Sequence, residues 1–378
     1  MVAACLALLG LSFLLSMTTT WVVRALSRHA GAIDSLGVPG QVKAPRRAIP
    51  NTGGIGVFLA IALPIGAGVI LALVGGEGIA SLLPESVTRH LPGMRDKAPL
   101  VATLLACLGV LHVMGLVDDR RPMGPWLKLG VMTMAAGLIA TTDGTRLLTM
   151  LDAYPGGYAL SFAVTVLWFI VVTNAMNFID NMDGLSAGVA AIAGSCFLVA
   201  ALVNGQWFVA ACLSLVVGSS LGFLLYNFPP ASIFMGDGGS LTLGFLLAFL
   251  TTRTTYYSSD DVGGVASGPW YAVLMPLVVL AVPLYDFASV VLIRLRQGRS
   301  PFVGDLQHLS HRIVERGLSR RASVLVIWGA TGVTGLAGIV LGSLKPWQAA
   351  VIGGQVVLLL GVLALFEYAR AREQARVR

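Results

Sequence analysis

Residues 158–202 read YALSFAVTVLWFIVVTNAMNFIDNMDGLSAGVAAIAGSCFLVAAL, two apolar runs joined by a polar hinge. Neither Tyr158 to Val172 nor Leu185 to Leu202 contains a charged residue. In hydrocarbon about 30 Å thick such runs are stable as helices, because lipid offers the backbone no hydrogen-bond partners. The hinge holds Asn174, Asn177, Asp180, Asn181 and Asp183. Groups of that kind are costly at this depth unless they have partners or a task. One stretch therefore argues both for a membrane-embedded fold and for a polar site where its helices end.

Outward from this stretch the pattern repeats. Crossings are predicted over Ala3 to Val23, Gly53 to Val74, Ala98 to Val117 and Trp126 to Ala140 before it. After it they are predicted over Trp207 to Tyr226, Ser240 to Thr251, Trp270 to Leu295, Ala322 to Gly342 and Pro346 to Phe366. The Ser240 segment is short enough to be re-entrant. The expectation is an all-α, polytopic integral membrane protein of about ten to eleven transmembrane helices, forming a single domain over 1–378. Composition agrees, with 56% hydrophobic residues, 11% charged and a mean hydropathy of +0.83. A soluble domain carries about 25% charged residues, so a water-soluble fold is excluded.

Lys and Arg are retained on the cytoplasmic side during insertion. With alternating loops, 19 of the 25 basic residues fall on the side of Arg24, Arg120, Arg294 and Arg370, and 6 on the other. This predicts an N-terminus outside and a C-terminus in the cytoplasm, as an odd number of crossings requires. The net charge of +7 lines a membrane face without an aromatic-rich soluble module. It points to anionic lipid or a phosphorylated substrate and away from nucleic acid. The first apolar run lacks a basic leader and a small-residue cleavage motif, so it reads as a retained helix. Cys5, Cys107, Cys196 and Cys212 all fall inside apolar runs, which argues against a disulfide framework or a zinc site.

Polar groups gather in four clusters, all in loops of the predicted cytoplasmic side. Asp118 and Asp119 close the third helix, and paired oxygen ligands suit Mg²⁺, with Mn²⁺ as the alternative. The hinge is the second cluster, in which Asn174, Asn177 and Asn181 share one helical face and Asp183 joins them only if the helix unwinds before Gly184. In the third, YNFPPASIFMGDGGS, glycines around Asp237 allow close backbone approach to a ligand, and the following helix N-terminus could face a phosphate. The fourth, DLQHLSHR, sets His308 and His311 three apart with Arg312 beside them, a combination suited to binding anions. His112, inside an apolar run, reads as a packing residue.

Together and in this order, the clusters resemble the polyprenyl-phosphate N-acetylhexosamine-1-phosphate transferase family, with its WecA-type and MraY-type branches. The resemblance spans Asp34 to Arg316 and rests on DDR…K from Asp118, NxxNxxDxxDGL from Asn174 and FMGDxGSLxLG from Phe234. It implies ten or eleven helices in a bacterial cytoplasmic membrane, an active site facing the cytoplasm and a bent ninth helix, which Pro276 and Pro283 suit. It also implies a Mg²⁺-dependent enzyme that moves a sugar 1-phosphate, N-acetylglucosamine 1-phosphate first among them, from a UDP-N-acetylhexosamine to undecaprenyl phosphate. UMP would be released, as the first membrane step of a cell-envelope polysaccharide pathway. Homodimers occur in the family.

Carried over by motif, Asp237 would be a direct Mg²⁺ ligand. Asp118 and Asp119 would lie beside metal and phosphates, Asp118 being also the candidate base. Asp180, His308 and His311 would complete the catalytic set, while Asn174, Asn177, Asp183, Asn227, Phe234 and Arg312 would contact substrate. Lys43, with Arg46 and Arg47, matches a basic N-terminal loop. His308 and His311 match the outer members of the WecA-type HxHH signature. Two departures stand out: Asn181 occupies a position where the family usually has Gly, and Ser310 one where a second central His is usual. MraY-type specificity is the nearer rival, disfavoured by HLSHR where that branch has three consecutive His. A secondary transporter would place its carboxylates near the midplane and show an internal repeat, neither of which is seen. An inactive scaffold would not need all of Asp118, Asp119, Asp183 and Asp237.

Overall fold

The structure, a computed structural model, describes residues 1–29, 49–74, 88–142, 145–254 and 270–377. Lys43, Arg46, Arg47 and Asp34 lie outside them. Helices α1 (Val2–His29), α2 (Gly54–Val74), α3 (Leu91–Arg120) and α4 (Pro125–Ala140) precede α5 (Gly157–Phe178) and α6 (Leu185–Val203), which flank the polar hinge. Then follow α7 (Trp207–Asn227), α8 (Asp237–Arg253), the pair α9 (Met275–Val279) and α10 (Ala281–Arg296), the short α11 (Leu309–Glu315), α12 (Arg320–Ile339) and α13 (Pro346–Val377).

Each of the eleven predicted segments is helical, but among the described residues eight helices can cross a membrane by length and composition, or nine if the bent α9–α10 pair is one span. The shortfall is α4 and α8, of 16 and 17 residues. At 1.5 Å per residue they reach only about 24 to 26 Å. For α8 the reason is its surroundings: Gly238 through Thr252 are all buried, so it meets protein on every side and need not match the lipid thickness. The α9–α10 pair bends by 71° at Leu280, where Pro276 opens α9 and Pro283 lies in the first turn of α10. Proline removes a helical hydrogen bond and clashes with the preceding turn, which accounts for the break.

Small residues set the closest packing, as helices in lipid require. A Cβ on Gly218 of α7 would lie 2.3 Å from the Leu9 carbonyl oxygen of α1, and one on Gly222 would lie 2.4 Å from that of Phe13. Across the same seam Ser12 donates to the Leu215 carbonyl (2.8 Å) and Ser16 to that of Ser219 (2.7 Å). The start of α8 is enclosed the same way, with Gly54 of α2 against Gly239 and Gly115 of α3 against Gly238. The outer surface is apolar, with Trp21, Leu138, Leu167, Leu336, Trp347 and Leu358 each more than half exposed. Water would disfavour that surface, whereas hydrocarbon solvates it.

Candidate active site

The C-terminal ends of α1, α3, α5, α7 and α10 and the N-terminal ends of α2, α4, α6, α8 and α12 meet at one end of the bundle. All four polar clusters lie there. At the centre, Lys128 of α4 donates through Nζ to Asp118 Oδ2 (2.9 Å) and Asp237 Oδ2 (3.4 Å). The other oxygen of Asp118 accepts the Met123 amide (2.6 Å), and that of Asp237 accepts the Asn177 side-chain amide (2.9 Å). Asn177 also donates to Ser240 (2.9 Å). Two carboxylates from elements more than a hundred residues apart thus face one ammonium, each held on its far side by a hydrogen bond.

Asp119 points into the fold. Its Oδ1 accepts the Asp237 amide at 3.2 Å, so the cap of α8 comes from α3. The amides of Gly239 and Ser240 are taken by the Gly236 carbonyl, both at 3.1 Å. Three first-turn amides of α8, those of Asp237, Gly239 and Ser240, are therefore engaged within the protein, and Gly238 and Gly239 pack closely on α3 and α2. Gly236 has φ +72° and ψ 173°, a region open essentially to glycine alone. A Cβ there would lie 2.4 Å from Asp119 Oδ2 and 2.5 Å from the Asn51 carbonyl oxygen.

The hinge unwinds after Phe178, which brings its carboxylates inward. Asp180 accepts the Gly236 amide, and burial, together with the charges of Asp237 and Asp183, holds its carboxyl well above the usual range. Asp183 accepts the Ala231 amide at 2.9 Å. Asn174 stays out of this centre, because its side chain donates back to the Ile170 carbonyl (2.8 Å) and towards the Met132 sulfur (3.7 Å). Asn174 and Asn177 both lie within α5, three residues apart, while Asn181 lies beyond its end. Asn227 is buried with both ends of its amide used: Oδ1 accepts the Gly184 amide (2.8 Å) and Nδ2 donates to the Ile233 carbonyl (2.9 Å). It ties the hinge to the loop that carries Asp237. The backbone of Phe234 bridges Pro50 and Gly53 (2.7 and 2.9 Å), which anchors α2 beside the centre.

Around α11 the histidines are organised by a residue of α10. Buried Asp286 meets His308 Nδ1 at 3.0 Å and accepts the Leu309 amide at 2.6 Å. Asp286 therefore orients His308 and caps α11. Desolvation first, then the charges of His308 and Arg320, push His311 down to about 4. At neutral pH it is an uncharged imidazole. The guanidinium of Arg312 forms an ion pair with Glu367 (Nε 3.1 Å from Oε2), while Nη2 donates to Glu367 Oε1 (3.3 Å) and Ser289 (2.8 Å) and Nη1 to the Gln307 carbonyl. Arg294, 2% exposed, pairs with Asp305 (3.0 Å) and lies over the Phe178 ring. His112 is a packing residue, stacked on Phe58 at 4.3 Å with Nδ1 2.9 Å from the Gly238 carbonyl.

Lys128, Asp286, Arg294 and Glu367 were not assigned site roles from the sequence. Lys128 carried a usable signal, being a lysine inside an apolar run, and such charges are costly without a function. Among the described residues no three His, Cys, Asp or Glu side chains converge to hold a metal ion. The donor chemistry nevertheless fits a hard divalent cation: Asp118 and Asp237 present oxygens towards one point, and substrate phosphate oxygens would complete the shell. Lys128 now shares those oxygens.

Sequence comparisons agree with this chemistry. A model described as glycosyl transferase family 4 matches residues 101–255. The decaprenyl-phosphate N-acetylglucosaminephosphotransferase of Mycobacterium tuberculosis H37Rv is 30% identical over 383 residues, covering 97% of this chain and 89% of the relative. A probable undecaprenyl-phosphate N-acetylglucosaminyl 1-phosphate transferase of Bacillus subtilis is 28% identical over 361 residues, covering 93% and 90%. The undecaprenyl-phosphate alpha-N-acetylglucosaminyl 1-phosphate transferase of Escherichia coli K12 is 24% identical over 365 residues, covering 94% and 88%.

Proposed function

The chain belongs to glycosyl transferase family 4, and from that premise we propose that it transfers N-acetylglucosamine 1-phosphate from its UDP derivative to a polyprenyl phosphate at the cytoplasmic face of a bacterial membrane. The observation that carries this reading is the convergence of Asp118 and Asp237 on Lys128 at the end of the bundle where every polar cluster gathers. The orientation rests on the 19 basic residues assigned to that side.

In this reaction an oxygen of the lipid phosphate bonds to the sugar-bearing phosphorus. The bond from that phosphorus to the bridging oxygen breaks, and the bridging oxygen leaves with UMP. Both reactants are anions, so catalysis consists chiefly of neutralising charge and aligning the two groups. A divalent cation held by Asp118 and Asp237 would supply a Lewis acid to the phosphate oxygens. The chain's own residues do the positioning. The Met123 amide and Asn177 fix the two carboxylates, Asp119 fixes the first turn of α8 beneath them, and Lys128 offers an ammonium to an incoming phosphate.

Release of UMP by the purified protein with undecaprenyl phosphate and Mg²⁺ tests the proposal. UDP-N-acetylglucosamine, UDP-N-acetylgalactosamine and the UDP-muramoyl-pentapeptide are compared in parallel. Turnover with the first is expected. Folded protein that releases no UMP from any of the three would sink it, and turnover with the pentapeptide alone would move it to the MraY-type reaction.

A further inference from the structure

We propose that Asn181 and Ser310 form a mutually dependent positioning pair, which sets His308 and His311 against the carboxylates of the α5–α6 hinge. The inference rests on the transferase reading above. The two residues are 129 positions apart, and the Ser310 hydroxyl donates to Asn181 Oδ1. They are also the two positions at which the sequence departs from the pattern of the family it resembles. Because they touch, the departures amount to one change made in two places.

The contact is built in from both sides. Asn181 Nδ2 donates to the Phe178 carbonyl at 2.6 Å, which orients the amide so that its oxygen faces α11. Ser310 is 1% exposed, and its carbonyl accepts the Ser323 hydroxyl of α12 at 2.9 Å. On one side of Ser310, the His311 ring donates to the Asn181 backbone carbonyl. On the other side, His308 is held by Asp286. Along the hinge, Asp180 and Asp183 bond to the Gly236 and Ala231 amides, in the segment that leads to Asp237. Asn181 therefore ties the hinge to α11 while its neighbours tie it to the carboxylate centre.

Neither residue meets the Asp118–Lys128–Asp237 cluster directly, so the pair acts through the groups it holds. Removing Asn181 leaves the buried Ser310 hydroxyl without its partner, a penalty that exceeds the value of the bond itself, and removing the hydroxyl releases the half-buried Asn181 amide that faces α11. Single substitutions should therefore be costly and their combination no worse. An imidazole at position 310 has no room beside the Asn181 amide, whereas glycine at 181 would vacate that space.

Initial rates of UMP release, separated into kcat and donor KM, test this across a set of variants. Asn181→Gly and Ser310→Ala should each lower kcat about tenfold with KM changed less than about threefold, and the double variant should be no slower than the slower single. Ser310→Thr, which keeps the hydroxyl, should stay within about threefold of wild type, and Ser310→His should be rescued about tenfold by Asn181→Gly. Losses that multiply in the double variant would overturn the pair, as would Ser310→His acting equally well with Asn181 and with glycine. Histidine-ring NMR of the same proteins without substrate gives a second readout. Asn181→Gly and Ser310→Ala should move the His308 and His311 signals alike, and unmoved rings would also overturn the pair. Moved rings in a protein that releases no UMP would support the pair and overturn the transferase reading alone.

Discussion

A lysine between two aspartates is the residue-scale fact from which the chemistry follows. Without Lys128, Asp118 and Asp237 would repel each other, and without them its ammonium would lie unpaired at the end of an apolar helix. Asp237→Asn should therefore lower kcat for UMP release by at least about a hundredfold, since a carboxylate that meets phosphate charge in the transition state is lost. Yield and elution profile should remain those of wild type, because Asn177 and the capped amide still hold the position. Retained turnover would refute the placement of the centre. Gly236→Ala should act through structure instead. Its φ of +72° and the two oxygens within 2.5 Å of a Cβ leave no accommodation without moving Asp119. A loss of about 2 kcal/mol or more, read as a lowered thermal midpoint in detergent, is expected.

At this scale the sequence shows which residues are polar and badly placed for lipid, but not what each one touches. Asn177 and Asn227 look alike in the sequence, as side-chain amides at helix ends. One reaches the Asp237 carboxylate and the other spends both ends of its amide on backbone. The residue type suits either task, and only the neighbours brought by other helices distinguish them.

Among the elements, α1 and α7 show why small residues recur in a chain whose helices could be packed with leucine. Gly218 and Gly222 let the α1 backbone approach to van der Waals contact, and Ser12 and Ser16 complete the seam with hydrogen bonds. Gly222→Leu should separate the pair and lower the thermal midpoint, by about 1 to 3 kcal/mol for overpacking a tight contact. Gly205→Ala, at a position where nothing lies within 4 Å but φ is +65°, makes a control in which backbone strain acts alone. The bend between α9 and α10 was expected from the family resemblance, and Pro276 and Pro283 suit it because proline has a local effect that needs no partner. The brevity of α8 was legible only as an ambiguity, because its cause is burial by α2, α3 and α5.

For the whole molecule, helix ends that alternate in direction place the polar clusters and the later part of α13 together, with Glu367 reaching Arg312. Reporter fusions should accordingly find the C-terminus in the cytoplasm and the N-terminus outside, and the reverse result would overturn the orientation taken from Lys and Arg. Stability should also depend on pH through His311. Its folded value of about 4 lies below the ordinary 6.5, so between these values the unfolded chain binds more protons. Stability is then complete above about pH 6.5 and falls as the pH drops towards 4. Thermal midpoints measured across this window should decline, and His311→Gln should flatten the decline.

Sequence alone determined that the chain lives in a membrane, where its helices run, and that its carboxylates and histidines crowd one end. Those conclusions follow from properties each segment carries by itself: apolar length, proline, and the cost of charge in lipid. Tertiary structure decided which oxygens face Lys128, that Asp119 caps α8, that Asp286 serves His308, and that Asn181 and Ser310 meet. These are contacts between residues far apart in the chain. Their existence depends on how the helices pack, and no local stretch encodes that.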